Sequence, residues 1–317
     1  MKKVSLIIPA YNEEAVLSAL YTRLCGLMDS MPQYEWELLF VNDGSTDDSG
    51  RLIGDFVARD PRVAVVELSR NFGKEAAMLA GFDYVTGDCA VIMDADLQHP
   101  PELVPVMLRY WEEGYDDVYA RRRVRGDESK LRKAFSRLFY KILQQSSSID
   151  VLPDVGDFRL LDRKCIETLR TLREQCRYTK GLYAWIGYRK KEVECDQQER
   201  AAGKSKWNFF SLFNLAIEGI TSFSVSPLRI SSILGICISL TAFVYMVIII
   251  AKTLLWGEAV AGYPSLMCII LFLGGLQLLS LGVIGEYLGR IFNETKHRPT
   301  YVVRSYKKHR SADDGQE

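Results

Sequence analysis

Two uncharged apolar stretches near the C-terminus constrain this chain more than any other feature. Residues 230–251 and 259–285 contain no Asp, Glu, Lys or Arg and consist mainly of Ile, Leu, Val, Phe, Ser and Gly. A helix needs about 20 apolar residues to cross the hydrocarbon core of a bilayer, so each stretch is long enough to span. The alternative, a buried helix in a soluble core, rarely runs so far without a polar face. The link at 256–264 carries Glu258 as its one charge, whereas Lys204, Lys206 and Arg229 precede the first stretch. Arg290, Lys296, Arg298, Arg304, Lys307, Lys308 and Arg310 follow the second. Positive residues mark the cytoplasmic side, which places both termini inside and the link outside, as expected of a multi-pass protein of the cytoplasmic (inner) membrane.

The expected division is therefore a cytoplasmic domain over 1–206, an interfacial segment over 207–228, two transmembrane helices over 229–290 and a basic cytoplasmic tail over 291–317. Such a tail can rest on anionic headgroups. In the interfacial segment Phe209, Phe213, Ile217 and Ile220 recur at helical spacing, with Asn208, Ser211, Asn214 and Glu218 between them. This pattern suits an amphipathic helix lying at headgroup depth, or equally one packed on the soluble domain.

Composition narrows the partners. Lys plus Arg number 40 and Asp plus Glu number 40, so the zero net charge gives no reason to expect nucleic acid. Seven cysteines are scattered without a CxxC pair, which fits reduced thiols facing a cytosolic compartment. The opening Met1-Lys2-Lys3-Val4-Ser5-Leu6-Ile7-Ile8 resembles a signal peptide only briefly, because Pro9, Asn12, Glu13 and Glu14 end its apolar run. A first β-strand is the expected reading.

Within 1–206, short apolar runs at 4–9, 38–41, 63–68 and 90–93 alternate with helix-like stretches. Strands alternating with helices predict parallel βαβ units and an α/β fold with an open, Rossmann-like doubly wound sheet. Ligands of such sheets bind beyond the carboxyl ends of the strands. The loops there, at 11–14, 42–47, 69–74 and 94–99, are rich in functional groups. No GxGxxG follows the first strand and no GxxxxGK[ST] occurs, which disfavours a nicotinamide dehydrogenase or a P-loop ATPase.

The sharpest chemical signal is Asp94-Ala95-Asp96-Leu97-Gln98-His99. Alternate residues at a strand end can point to one side, so Asp94 and Asp96 can converge. Two carboxylates with an amide oxygen suit a hard divalent ion that also binds phosphate oxygens; the bland alternative is a pair of solvated loop aspartates. In Asn42-Asp43-Gly44-Ser45-Thr46-Asp47, Asp43 could accept hydrogen bonds from a nucleoside and Gly44 permits a tight turn. These are also ordinary turn and helix-capping residues.

Together, Pro9-Ala10-Tyr11-Asn12-Glu13-Glu14, Asn42 through Asp47 and Asp94-Ala95-Asp96 resemble the GT-A inverting glycosyltransferases of family 2. Four further runs are similar to its polyisoprenyl-phosphate branch, that of dolichol-phosphate mannose synthases and bactoprenol glucosyltransferases. They are Asn71-Phe72-Gly73-Lys74-Glu75, Gln98-His99-Pro100, Gly156-Asp157-Phe158-Arg159-Leu160 and Arg200-Ala201-Ala202-Gly203-Lys204-Ser205-Lys206-Trp207. The resemblance covers nearly the whole chain. It implies that Pro9, Tyr11, Glu13, Asp43 and Asp94 bind a nucleotide-sugar. It further implies that Asp94, Asp96 and Gln98 hold Mg²⁺ or Mn²⁺, and that Asp157 sits near the reacting sugar carbon. Arg122, Arg132 and Ser136 would hold the acceptor phosphate, with Arg122 in a run of three arginines whose register can slip. Arg200 and Lys206 would grip phosphates from a closing loop, Asp96 would share the catalytic task, and a tetramer joined through the membrane helices is implied.

The implied reaction moves glucose from UDP-glucose to undecaprenyl phosphate with inversion, because the two-span tail resembles bactoprenol glucosyltransferases more than the mannose synthases. GDP-mannose, UDP-N-acetyl sugars and UDP-aminoarabinose derivatives are the alternative donors. A processive polysaccharide synthase would carry Gln-x-x-Arg-Trp, which is absent here. A non-catalytic scaffold would be expected to lose the aspartates or loop cations, and a flippase would need more than two spans.

Overall fold

The computed structural model describes residues 1–122, 155–195, 226–256 and 262–309. The described part of the catalytic region alternates as expected: β1 (Lys2–Ala10), α1 (Glu14–Ser30), β2 (Tyr34–Asn42), α2 (Ser49–Arg59), β3 (Val63–Leu68), α3 (Lys74–Tyr84) and β4 (Cys89–Ile92). A 3₁₀ turn then leads into α4 (Val104–Glu112) and β5 (Asp117–Arg122). Next come β6 (Val155–Asp162), α5 (Arg163–Thr171), α6 (Thr179–Trp185) and β7 (Lys190–Cys195).

All the strands join one sheet in the order β7-β5-β6-β4-β1-β2-β3-β8, with β8 (Val303–Lys308) at its edge. β1 pairs in parallel with both β2 and β4. The chain therefore winds one way through β2 and β3, then returns to the other side of β1. That reversal opens a crevice at the carboxyl ends of β1 and β4, the place where such sheets bind ligands. The sheet is mixed rather than purely parallel, because β6 runs antiparallel to β4 and β5, and β8 runs antiparallel to β3.

Both faces of the central strands are covered, which is why β1, β2 and β4 read as continuous apolar runs. Leu6, Ile8, Leu38 and Phe40 pack with α1, α2 and α4 on one face. Ile7, Leu39, Val41 and Ile92 pack with α3, α5 and α6 on the other. Truncating a fully buried member such as Leu38 to Ala costs about 2–5 kcal/mol.

After β7 the described chain forms two long helices, α7 (Ser226–Trp256) and α8 (Tyr263–Thr295). Among the described residues one stretch, Phe272–Thr295, is long and apolar enough to cross a membrane; Ser231–Tyr245 is a shorter apolar segment. Most of the region read as interfacial, 207–225, lies outside the described residues. The region read as a basic tail contains an unanticipated strand: β8 pairs with β3 from Leu68↔Val303 to Ala64↔Lys308. Tyr301 donates to Asp83 at 2.5 Å and Ser305 to Glu67 at 2.7 Å, fastening the segment to the catalytic sheet.

Candidate active site

Two loops are stitched together at the crevice. Asn12, at a φ of 56°, uses its amide N–H to reach Ser45 Oγ at 3.1 Å, and its side-chain oxygen accepts from Thr46 N at 2.8 Å. The backbone N–H of Glu13, which precedes α1, donates to Ser49 Oγ at 2.9 Å. Pro9 is the penultimate residue of β1, beside these contacts, and Tyr11 is 38% exposed. Thus Pro9, Tyr11 and Glu13 border the crevice at one end.

Asp43 works inward. It is 3% exposed, and its two carboxylate oxygens accept Phe72 N at 2.7 Å and Gly73 N at 2.9 Å. Burial raises its pKa, against the lowering effect of those two amides. Its place in the structure is thus to hold the loop between β3 and α3. Gly44 permits this approach: at φ 65° a Cβ there would lie 2.4 Å from the Arg70 carbonyl carbon.

The β3–α3 loop in turn delivers Lys74. Gly73, at φ 96°, turns the chain into α3, leaving Lys74 as the first helical residue. A cation in the first turn opposes the helix dipole by about 0.3–1 kcal/mol, so local propensity does not explain it. Its partners do. Lys74 Nζ lies 2.6 Å from Asp94 Oδ1 and 2.7 Å from Asp157 Oδ2. Strand pairing brings these two carboxylates together. Ile92 of β4 is registered with Arg159 of β6, and continuing that antiparallel register two residues beyond β4 sets Asp94 across from Asp157.

Asp157 is buried, and its second oxygen has no hydrogen-bond partner in the described structure. Burial alone would raise its pKa; Lys74, supported by Lys180 and Arg159, outweighs burial and holds it well below the usual carboxylate range. Lys74 is shifted oppositely, since Asp94 and Asp157 overcome the effect of burial and raise its pKa. Asp157 is therefore ionised near neutrality and is a weak base.

Asp96 is half-buried, and its Oδ1 accepts Gln98 N at 3.1 Å. His99 is buried and stacks on Phe158 at a centroid distance of 4.9 Å; burial lowers its pKa, outweighing Asp94 and Asp96. Behind the site, Arg159 and Asp117 form a buried ion pair at 2.9 Å, with the guanidinium 3.6 Å above the Tyr183 ring. Arg122 closes β5 opposite Cys195; Arg132, Ser136, Arg200 and Lys206 lie outside the described residues.

The expected site residues Asp94 and Asp157 thus meet, with Asp96 and Gln98 beside them. Sequence reasoning missed Lys74, His99 and the Arg159–Asp117 pair as parts of the site. For Lys74 a signal existed: a lysine directly after a strand-end glycine, opening a helix.

A divalent ion fits this donor set. Among the described residues no group of three His, Cys, Asp or Glu side chains could hold a metal. The protein supplies a pair of carboxylates, and Lys74 already places one positive charge against Asp94. A hard cation held by one or two carboxylates, with phosphate oxygens completing its shell, matches that supply.

Residues 5–170, over half of the chain, match glycosyl transferase family 2. The chain belongs to this family. It is a transferase with the family's GT-A-like mixed α/β sheet. Residues 226–291 of this family 2 enzyme match the GtrB C-terminal hairpin. The enzyme is 46% identical to a glycosyltransferase of Synechocystis sp. over 95% of its own length and 94% of the relative's. It is 41% identical to the bactoprenol glucosyl transferase of Shigella phage SfV, over 96% of this chain and 99% of that protein. The same identity relates it to the prophage bactoprenol glucosyl transferase homolog of Escherichia coli (strain K12), over 96% of this chain and all of that protein.

Proposed function

We propose that this enzyme transfers glucose from UDP-glucose to undecaprenyl phosphate, inverting the anomeric configuration, and so makes a lipid-linked sugar for the cell envelope. The observation carrying this reading is the alignment over nearly the whole of both chains with relatives named as bactoprenol glucosyl transferases, together with the match of residues 226–291 to the GtrB C-terminal hairpin.

The site chemistry supports it. A phosphate monoester is largely ionised near neutral pH, so it can attack the anomeric carbon without a strong base. Asp157, ionised and weakly basic, fits a role of orienting the reacting centre and balancing developing positive charge on the sugar. Asp94, Asp96 and Gln98 would hold Mg²⁺ or Mn²⁺, which when bound neutralises charge on the departing diphosphate. Pro9, Tyr11 and Glu13 would border the nucleoside, with Asp43 shaping that wall by holding the β3–α3 loop. Arg122, Arg132 and Ser136 would take the acceptor phosphate, while Arg200 and Lys206 would close over both anions.

The architecture proposed around this site keeps the catalytic domain and both termini on the cytoplasmic side. Interfacial residues 207–228 and two spans within 229–290 anchor it in the membrane, and the hairpins join in a tetramer. The purified protein should transfer label from UDP-glucose into undecaprenyl phosphate only with a divalent ion. Label arriving from GDP-mannose or a UDP-amino sugar instead would reassign the donor.

A further inference from the structure

Lys74 occupies a position with consequences for how the site loads. Its ammonium has three donors, and two are directed at carboxylates on different strands, Asp94 after β4 and Asp157 at the start of β6. The side chain is 42% exposed along its length, while its ammonium lies enclosed between the two carboxylates at the floor of the crevice. Lys74 holds Asp94 Oδ1, and a divalent ion on either oxygen of that carboxylate would stand within a few ångströms of the ammonium, where the two cations repel. A diphosphate arriving with the ion supplies new anionic oxygens that an ammonium can bind as a point charge.

We infer that Lys74 is an exchangeable clamp: it holds Asp94 and Asp157 together before the donor arrives, then shifts from Asp94 to the donor's diphosphate, releasing Asp94 to the divalent ion. The ion and the diphosphate are thereby coupled. Each binds better with the other, because the diphosphate both completes the ion's shell and offers Lys74 a replacement partner. Throughout, Lys74 keeps its contact with Asp157, so the anionic acceptor does not meet an uncompensated carboxylate. This rests on Asp94 and Asp96 forming the donor diphosphate site.

The test uses the full-length protein in detergent at one fixed pH, with Mn²⁺ retained by the protein measured by equilibrium dialysis. Inorganic pyrophosphate serves as the diphosphate, which avoids any assumption about the nucleobase. In wild type, pyrophosphate should tighten Mn²⁺ binding by about tenfold or more. Lys74→Met should bind Mn²⁺ alone about tenfold more tightly than wild type, and pyrophosphate should then tighten it by a smaller factor than in wild type. Lys74→Arg, which keeps the charge, should behave like wild type. Should Lys74→Met melt early, Lys74→Ala carries the same expectation, since alanine suits the first turn of α3.

Equal Mn²⁺ affinity in wild type and Lys74→Met without pyrophosphate would overturn the clamp. So would a gain in Lys74→Arg matching that in Lys74→Met. A wild-type protein retaining no Mn²⁺ even with pyrophosphate would overturn the metal reading itself, and the clamp with it.

Discussion

The guanidinium of Arg159 donates to the carboxylate of Asp117 at 2.9 Å, and the two residues are only 4% and 0% exposed. Arg159 lies two residues along β6 from Asp157, ties that strand to Asp117 at the start of β5, and also donates to the Gly156 carbonyl at 3.3 Å. It anchors the backbone that presents Asp157. Arg159→Met takes from buried Asp117 its hydrogen-bonding cation, at a cost of about 3–5 kcal/mol. Thermal melting of the variant should show that loss, and Asp117→Leu added to it should recover part. A melting temperature unchanged by Arg159→Met would deny the pair its anchoring role.

Gly44 should be intolerant of a side chain. Alanine at φ 65° is strained, and its Cβ would strike the Arg70 backbone, so Gly44→Ala should cost about 1–3 kcal/mol from backbone strain alone. Because displacing Arg70 moves the loop bearing Lys74, donor KM should rise as well. Steady-state kinetics together with denaturant melts separate the two effects.

Much of the catalytic fold was legible in the sequence because its parallel core alternates simply: each strand of β1 to β4 is followed by a helix that packs back on the same sheet. Asp94 and Asp96 were legible for the same reason, as paired carboxylates directly after a buried strand. What escaped depends on long-range pairing. β6 enters antiparallel to β4, and only that register carries Asp157 to Asp94 and gives Lys74 two partners. The β8 sequence, with Arg304, Lys307 and Lys308 among its six residues, reads as a basic tail until β3 supplies Glu67 as a partner. Asp43 was legible as a loop carboxylate after β2 but not in its orientation, since turn residues do not reveal which backbone amides they will meet.

Asp60 should contribute to acid sensitivity. Burial would raise its pKa, but Arg62, bonded through side chain and backbone, prevails and holds it below the usual carboxylate value. A depressed folded pKa gives stability that is present above the unfolded value, near about 4, and lost as pH falls through the folded one. The wild-type melting temperature should therefore drop between about pH 5 and pH 3, and Asp60→Asn should flatten that slope while losing about 1.5–3 kcal/mol at neutral pH. An equally steep acid limb in the variant would assign it elsewhere.

Asp157→Asn should lower kcat by about 10²–10³ while leaving donor KM within about threefold, the pattern of a group acting mainly in the transition state. Since Asp157 is held well below the usual carboxylate range, the wild-type rate should show no acid limb from it above about pH 5. A kcat unchanged in Asp157→Asn would remove this carboxylate from the reacting centre.

The most direct test of the proposed reaction is transfer from radiolabelled UDP-glucose into undecaprenyl phosphate, comparing purified wild type with Asp96→Asn, each with and without Mg²⁺ or Mn²⁺. Label should enter the lipid phase with wild type plus metal. It should fall by about 10² or more in Asp96→Asn, which stays folded and membrane-bound. Full transfer by Asp96→Asn, or no lipid label from folded wild type with metal present, would contradict the assignment.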